Sequence, residues 1–415
     1  MNRIINFLKN SINSLSSRAV EVAGRYHTNW LTGLWSSGTE SKAGAEVNLL
    51  TAQHHTTVMS CWRVISEGIA QLPLHLMERK IDKNGISTKK RAYDHKLYNI
   101  FNLQPNYETT SYAWVEAMIL NLVSRGNAFS QILRNKRGDI VGFVPLLTDS
   151  MEIYRDENKE LFYVYHHDRL GRVVLTKSEC LHVVGLSFDG IHGLSPISYS
   201  RNSIGLSIAL EEYSSNLFRN GANPSGVFET DMILSDEAHE RLKADLENAY
   251  VGLKNSGKPL LLESNLKFKQ ISLSNDDAQF LESRKYQKAE IASIFRVPLH
   301  FLNDLDHATF SNIEQQSLEF ATFSLTPWIR RIEQSINIKL QEEDRKLFVK
   351  FNMDSMVRGD IESRYNANGI AIRDGWKTRN EVRIQEGLNP IDGLDEPVLP
   401  LNMGTTAGGK DVKTD

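Results

Sequence analysis

The chain of 415 residues is 40% hydrophobic and 24% charged, which is ordinary for a soluble globular protein. Its net charge of −3 argues against tight, salt-dependent binding of nucleic acid over one large basic face. No apolar run approaches the ~18 residues of a membrane span, and the two cysteines lie too far apart in sequence to suggest a disulfide scaffold. At this length we expect two or three domains.

The first part of the chain is predicted to be an arm followed by two helices. Residues 1–44 mix glycine, serine, asparagine and aromatic residues, which is typical of a disordered N-terminal arm. A helix is predicted over 57–71, ended by Pro73, and the LPLHLMERK segment after it is typical of a strand. A second helix is predicted over 111–125, with Gly126 as its left-handed exit.

Between Ala128 and Val184 the sequence predicts an antiparallel β-rich module. Apolar and β-branched residues alternate with polar ones, and turn residues recur about every 8–12 positions. The pattern predicts successive strand pairs, of which GRVVLTKSECLHVVG is the last. The basic runs Lys89–Arg91 and Arg134–Asp139 lie where turns are expected, which favours solvated turns over nucleic-acid contacts.

Helices return after this module. Ser195 and Pro196 mark a helix start, and an apolar stripe continues to Asn220. A small α/β insert is predicted next, with a strand at 226–230, a helix capped by Ser235, and strands in PLLLE and LKFKQI. Another helix is predicted over 274–297, stopped by the proline that follows.

A long helix is predicted from Ser311 to about Leu340, with Ser311 and Glu314 as a capping box. Its apolar stripe continues on both sides of Pro327. Because proline lacks an N–H and clashes with the carbonyl four residues back, either the helix kinks there or two helices meet. The unbroken stripe favours one kinked helix. A strand in KLFVKFNM and two short helices near 360–371 and 378–386 follow.

The segment GLKNSGKP, 252–259, is similar to a phosphate-binding loop. That chemistry needs a Ser or Thr hydroxyl after the lysine, and Pro259 stands there. The segment also follows a predicted helix, whose C-terminal end repels phosphate. We therefore interpret it as a helix exit and expect no nucleotide cofactor.

Other chemistry-bearing residues do not form a recognisable site. Adjacent histidines at 54–55 and 166–167 would point to opposite faces of a strand, so neither pair could chelate a metal from one. Cys180 and His182 would share a strand face, but a small buried thiol is the commoner case. The sequence predicts no catalytic residue, no metal site and no cofactor.

Six short motifs follow one another along the chain. They are GNAF (126–129), GLSPI (193–197), NGANPSG (220–226), IASIFRVP (291–298), FSNIEQ (310–315) and LTPWIRRIE (325–333). Together with the order of elements, they resemble the HK97-type phage portal proteins over roughly Thr51 to Pro397. Arg296 stands where that family usually has glycine, and Phe310 where tyrosine is common.

The resemblance implies an α+β portal fold and a division of the chain. The implied parts are a disordered arm (1–44), a β-rich wing (45–195), two stem helices (196–221 and 275–298), a small α/β clip (222–274), a tunnel loop (299–312), a long kinked helix with a wing strand (313–353), a helical crown (354–397) and a disordered tail (398–415).

The resemblance also implies a function. It implies a ring of twelve copies at one capsid vertex, through which double-stranded DNA is packaged and ejected without sequence specificity. The implied partners are the terminase large subunit, the major capsid protein and a head-completion or adaptor protein, with no membrane. The protein would be in the virion, and in the host cytoplasm during assembly. Two alternatives are a ring-forming head–tail connector without a packaging role and an enzyme with a dispersed site.

The resemblance assigns candidate residues to three places. The tunnel loop contains Asn303, Asp304, Asp306, His307 and Thr309. The helix kink is at Pro327. The residues implied to dock the terminase are Lys254, Lys258, Glu263 and Lys267. The tunnel loop has no Lys or Arg, so we expect its aspartates to repel the DNA backbone and keep the duplex centred. A solvated acidic loop before a helix N-terminus would carry the same residues.

Overall fold

The computed structural model describes residues 39–81, 87–156, 158, 160–219, 226–229, 235–237, 240–241, 267–270, 274–305, 310–353 and 361–398. These residues form two compact units, one ending at Asn352 and one beginning at Met353. Most of the predicted arm, most of the insert at 222–274, the GLKNSGKP segment and the predicted tail lie outside the described residues.

The described chain alternates helices and short strands. The helices are α1 (Leu49–His54), α2 (Thr56–Ala70), α3 (Tyr98–Asn102), α4 (Ser111–Arg125), α5 (Pro196–Tyr199), α6 (Arg201–Arg219), α7 (Ser274–Phe295), α8 (Phe310–Glu319), α9 (Thr326–Gln341), α10 (Ile361–Arg373) and α11 (Arg379–Gln385). The strands are β1 (Thr39–Glu40), β2 (Glu46–Val47), β3 (Leu74–Ile81), β4 (Ser87–Arg91), β5 (Asn127–Arg134), β6 (Ile140–Leu146), β7 (Met151–Arg155), β8 (Leu161–His167), β9 (Gly171–Thr176), β10 (Cys180–Val184), β11 (Gly226–Glu229), β12 (Lys267–Gln270) and β13 (Leu347–Phe351).

Helices α2 and α4 pack together through apolar stripes, as their spacing predicts. The stripe on α2 includes Ile65 and Ile69, and that on α4 includes Ile119 and Leu122, all of them buried. Gly126 ends α4 with φ of 78°, so its predicted role as a left-handed exit is confirmed.

The predicted β-rich module is confirmed as two three-stranded antiparallel sheets, with orders β10-β5-β6 and β7-β8-β9. Both strands predicted in GRVVLTKSECLHVVG are present, but they do not pair with each other. Strand β9 pairs with β8, whereas β10 crosses to pair with β5. This crossing buries Cys180 in one core cluster with Phe129 of β5 and Tyr163 of β8, so the two sheets share their apolar residues.

A third sheet, with order β13-β3-β4, joins distant parts of the first unit. Lys89–Arg91 lies in its edge strand β4, so the prediction of a turn there was wrong. The other basic run does form a turn, closed by a hydrogen bond from the Gly138 N–H to the Asn135 carbonyl.

The predicted arm was too long at its C-terminal end. Strands β1 and β2 form a hairpin that begins at Thr39, and α1 follows, with Asn48 and Thr51 as a capping box. The hairpin lies against α6, where a Cβ added to Gly205 would come within 2.2 Å of the Ser41 hydroxyl oxygen.

The predicted helix after Ser195 is present as α5 and α6, which are separated at Ser200. Strands β11 and β12 pair antiparallel, which confirms two of the strands predicted for the insert. Helix α8 is described from Phe310, and the side chains of Ser311 and Glu314 lie outside the described part of the chain, so their capping box stays a prediction. In the second unit, Thr378 and Glu381 form a capping box at the start of α11.

Candidate functional site

Two of the short motifs, GNAF and GLSPI, meet in space. The side-chain oxygen of Asn127 accepts a hydrogen bond from the Gly193 N–H at 2.9 Å, and its amide donates to the Gly193 carbonyl at 3.1 Å. A Cβ on Gly193 would lie 1.7 Å from the Gly126 carbonyl oxygen. Glycine is therefore required at 193, and the contact fixes the segment before α5 and α6 onto the start of β5.

His182 completes this buried network. Its Nε2 lies 3.0 Å from the Asn127 side-chain oxygen, so Nε2 carries the hydrogen and donates. Burial lowers the pKa of His182 to about 3, and burial raises the pKa of the Cys180 thiol well above its usual range. A neutral histidine and a protonated thiol fit the predicted buried thiol rather than a nucleophile pair.

The C-terminal end of α7 has an unusual residue. Arg296 has φ of 54°, in the left-handed region that favours glycine. The Arg296 N–H donates to the Ser293 carbonyl and the Val297 N–H to the Ala292 carbonyl, the paired bonds of a Schellman motif. The hydroxyl of Ser324 donates to the Arg296 carbonyl at 2.6 Å, which ties this helix end to the helical run that follows.

The first half of the predicted tunnel loop folds back onto its flanking helices. Lys288 Nζ on α7 lies 3.0 Å from Asp304 Oδ2, and Asp304 is only 19% exposed. Asn303 has φ of 56° and ends the short 3-10 helix Leu299–Leu302. His300 Nδ1 donates to the Gln316 side chain at 2.9 Å, and the Phe301 ring packs on Phe320 at 4.7 Å between centroids.

The chain from Phe310 to Gln341 is helical without a break, but its winding changes. Helix α8 passes into a π-helical segment, Phe320–Leu325, and α9 begins at Thr326. The Thr326 N–H donates to the carbonyl of Ala321, five residues back, and the Thr326 hydroxyl donates to the same oxygen at 2.9 Å. The widened turn ends just before Pro327, which has no N–H to donate. The bend at Pro327 stays a prediction.

Polar side chains of the LTPWIRRIE motif and the rest of α9 fix this helix to the sheets. The Arg331 guanidinium donates to the carbonyls of Val184 and Gly185, at 2.9 and 2.5 Å. Glu333 accepts from the Phe351 N–H at 2.8 Å, and Lys339 donates to the Lys177 carbonyl. Helix α9, which follows the π-helical segment directly, is thus held against the sheets by side-chain hydrogen bonds.

The structure therefore brings together only part of the predicted site. Asn303, Asp304 and Pro327 lie along the connected path from α7 to α9. Asp306, His307, Thr309, Lys254, Lys258 and Glu263 lie outside the described residues, and Lys267 lies in β12, where only the strand is described. Sequence reasoning missed the Lys288–Asp304 pair and the left-handed Arg296. The glycine usual for the family at 296 was the available signal for the second.

Side chains that could bind a metal are dispersed in the described part of the chain. They contain no cluster of three or more His, Cys, Asp or Glu side chains that could hold a metal ion. The histidine pairs are engaged separately: His55 Nε2 lies 2.8 Å from the Ser207 hydroxyl, and His166 Nε2 lies 3.3 Å from Glu152. None of the helices described has the length and apolar character needed to cross a membrane.

Comparison with known proteins agrees with the motifs. A family model described as phage portal protein matches residues 56–387. The chain is 34% identical to the probable portal protein of Streptomyces phage phiC31 over 389 residues, 89% of this chain and 83% of that one. It is 30% identical to the portal protein of Enterobacteria phage HK97 over 350 residues, 82% of this chain and 80% of that one.

Solved structures show the same fold. A chain in the neck of an empty gene transfer agent particle, computed with C6 symmetry, matches with a TM-score of 0.61 at 22% identity. The match covers 83% of this chain and 93% of that chain. This chain therefore shares its mixed helix-and-sheet fold with that chain. The chain belongs to the phage portal protein family.

Proposed function

We propose that this chain is the portal protein of a tailed double-stranded DNA phage. Copies of it form a ring, twelve in number by analogy with the family, at one vertex of the capsid, and DNA enters and leaves through the ring. The observation that carries this proposal is the family match over 56–387, at up to 34% identity to proteins named as portals. Phage portal proteins are structural rather than enzymatic, and the protein belongs in the virion, after assembly in the host cytoplasm.

The proposed channel contact is the tunnel loop at 299–312. Asp304 is neutralised in part by Lys288, so the repulsion of the DNA backbone falls mainly on Asp306. The anchored half of the loop, at 299–305, would hold the other half beside the moving duplex. Asn303, His307 and Thr309 complete the proposed loop surface.

The proposed docking surface for the terminase large subunit, and later for the head-completion protein, is the clip at 222–274. Its candidate residues are Lys254, Lys258, Glu263 and Lys267. ATP hydrolysis then belongs to the terminase, because the GLKNSGKP segment lacks the hydroxyl that a phosphate loop needs. The major capsid protein would surround the ring at the vertex.

The direct test is a packaging reaction with capsids assembled in the presence or absence of this chain, together with terminase, ATP and DNA. We expect DNase-protected DNA only in capsids that contain the ring. Equal protection in capsids that lack the chain would overturn the proposal. Asp306→Lys should slow packaging, and more so at low salt, where a phosphate contact is stronger. Asp304→Lys is the comparison variant. It places a cation in the same loop but also removes the ion pair with Lys288.

A further inference from the structure

The outer face of the sheet β13-β3-β4 carries an array of cations. Leu74 and Leu76 of β3 are buried, so alternate residues of this strand point away from the core. Arg79 lies opposite Lys89, Met77 opposite Arg91, and His75 opposite Lys350 in the strand register. We call Arg79, Lys89, Arg91 and Lys350 the cationic face.

An aromatic ring holds part of this face together. The Arg79 guanidinium lies 5.8 Å from the centroid of the Phe348 ring, and Lys89 Nζ lies 6.0 Å from it. Like charges directly opposite each other on neighbouring strands destabilise a sheet, and the ring offsets part of that repulsion. The Arg79 and Lys89 side chains are therefore held close together, although their like charges would otherwise drive them apart.

The four cations of this face form no ion pair with a described residue, although the Glu333 carboxylate acts electrostatically on Lys350. Among the described residues, no carboxylate oxygen lies within 4.0 Å of the charged nitrogens of its four members. Glu78, the carboxylate of β3, lies on the opposite face and pairs with Lys80 at 3.3 Å. The cations thus remain available to an external anion.

Protection of a free sheet edge does not account for this arrangement. Lysines on an exposed edge strand discourage pairing with other chains, which would explain the cations of the two edge strands, β4 and β13. Arg79, however, lies on the central strand β3, which has no free edge to protect. The charge therefore includes the centre of the sheet as well as its edges.

We propose that the cationic face binds the phosphate backbone of duplex DNA without regard to sequence. The opposite positions 79 and 89 have Cβ atoms about 5 Å apart, and positions 89 and 91 lie about 7 Å apart along β4, a density of cations that suits a polyanion better than a single carboxylate. The presence of DNA beside the ring rests on the proposed function. This surface differs from the proposed tunnel loop, which has no Lys or Arg and is proposed to let DNA slide.

The test is the binding of a short fluorescent duplex of mixed sequence to the purified full chain, followed by anisotropy between about 50 and 200 mM salt. Arg79→Ala with Lys89→Ala removes two cations from the face. Lys80→Ala with Lys90→Ala removes two cations from the same two strands on the opposite side. Thermal unfolding and light scattering check that both variants fold and assemble as the parent does.

We expect the slope of log K against log salt to become shallower by about 2 in the face variant and to stay near the parent value in the opposite-side variant. Lys89→Arg should bind as the parent does, because the charge is kept. Equal losses of duplex affinity in the two double variants would overturn the proposal, as would a duplex affinity that Arg79→Ala with Lys89→Ala leaves unchanged. Binding of polyglutamate without binding of the duplex by the parent protein would also overturn it. No packaging motor is present, so failure here is distinct from failure of the ring to package DNA.

Discussion

The side chain of Asn127 forms hydrogen bonds with both the N–H and the carbonyl of Gly193, 66 positions away in sequence. The same side-chain oxygen accepts from His182. We expect Asn127→Ala to lower the free energy of unfolding by about 3 kcal/mol, because it leaves several buried polar groups without partners. Chemical denaturation at one fixed protein concentration measures this. Asn99→Ala, at an exposed position, should change stability by less than about 0.5 kcal/mol. Similar effects of the two changes would contradict the role given to Asn127.

Burial of neutral His182 makes stability depend on pH. Its pKa is lowered to about 3 in the folded protein, whereas the unfolded chain titrates near 6.5. Between these values the unfolded state binds more protons, so stability falls as the pH is lowered, by up to about 1.4 kcal/mol per pH unit. We expect His182→Gln to have a shallower pH dependence from pH 6.5 downward. Parallel curves for parent and variant, measured by denaturation at several pH values, would contradict this.

Arg296 holds a left-handed backbone that glycine adopts without strain. We expect Arg296→Gly to stabilise the protein by about 1 kcal/mol, because the cost of a Cβ in this conformation disappears. Arg296→Ala is the matched control, since it removes the same side chain but keeps the Cβ and should give no such gain. Thermal unfolding of the three proteins separates the effects. Equal melting temperatures for the glycine and alanine variants would show that the backbone at 296 is not strained.

Pro327 follows a π-helical segment, and its replacement tests what the altered helix does. Pro327→Ala restores an N–H inside the helical run, and a proline in a helix interior costs about 3 kcal/mol relative to alanine. We expect the variant to be at least as stable as the parent and to assemble, but to package less DNA. Nuclease-protected DNA per particle is the measurement. Packaging equal to that of the parent would remove Pro327 from the mechanism.

Local patterns predicted much of the fold. The apolar stripes and Gly126 predicted α2 and α4, and the alternation in 128–184 predicted an antiparallel module. The partner of β10 was missed because strand pairing depends on a core shared by distant residues, here Phe129, Tyr163 and Cys180. Periodicity alone does not reveal such a core.

The candidate site was predictable only in part for the same reason. A proline inside a predicted helix, here Pro327, can be recognised in the sequence. The π-helical turn before it involves two hydrogen bonds that the sequence does not reveal. The Ser324 hydroxyl donates to the Arg296 carbonyl, and the Thr326 hydroxyl donates to the Ala321 carbonyl. The Lys288–Asp304 pair joins residues 16 positions apart, and nothing in either segment signals that they meet. The six motifs carried the functional prediction further than any single residue.

The central claim is that this chain forms a portal ring, and electron microscopy of the purified full chain tests it most directly. We expect closed rings with an open central channel, twelve subunits in class averages, and no stable monomer at micromolar concentration. Monomers, or closed particles without a channel, would contradict the claim.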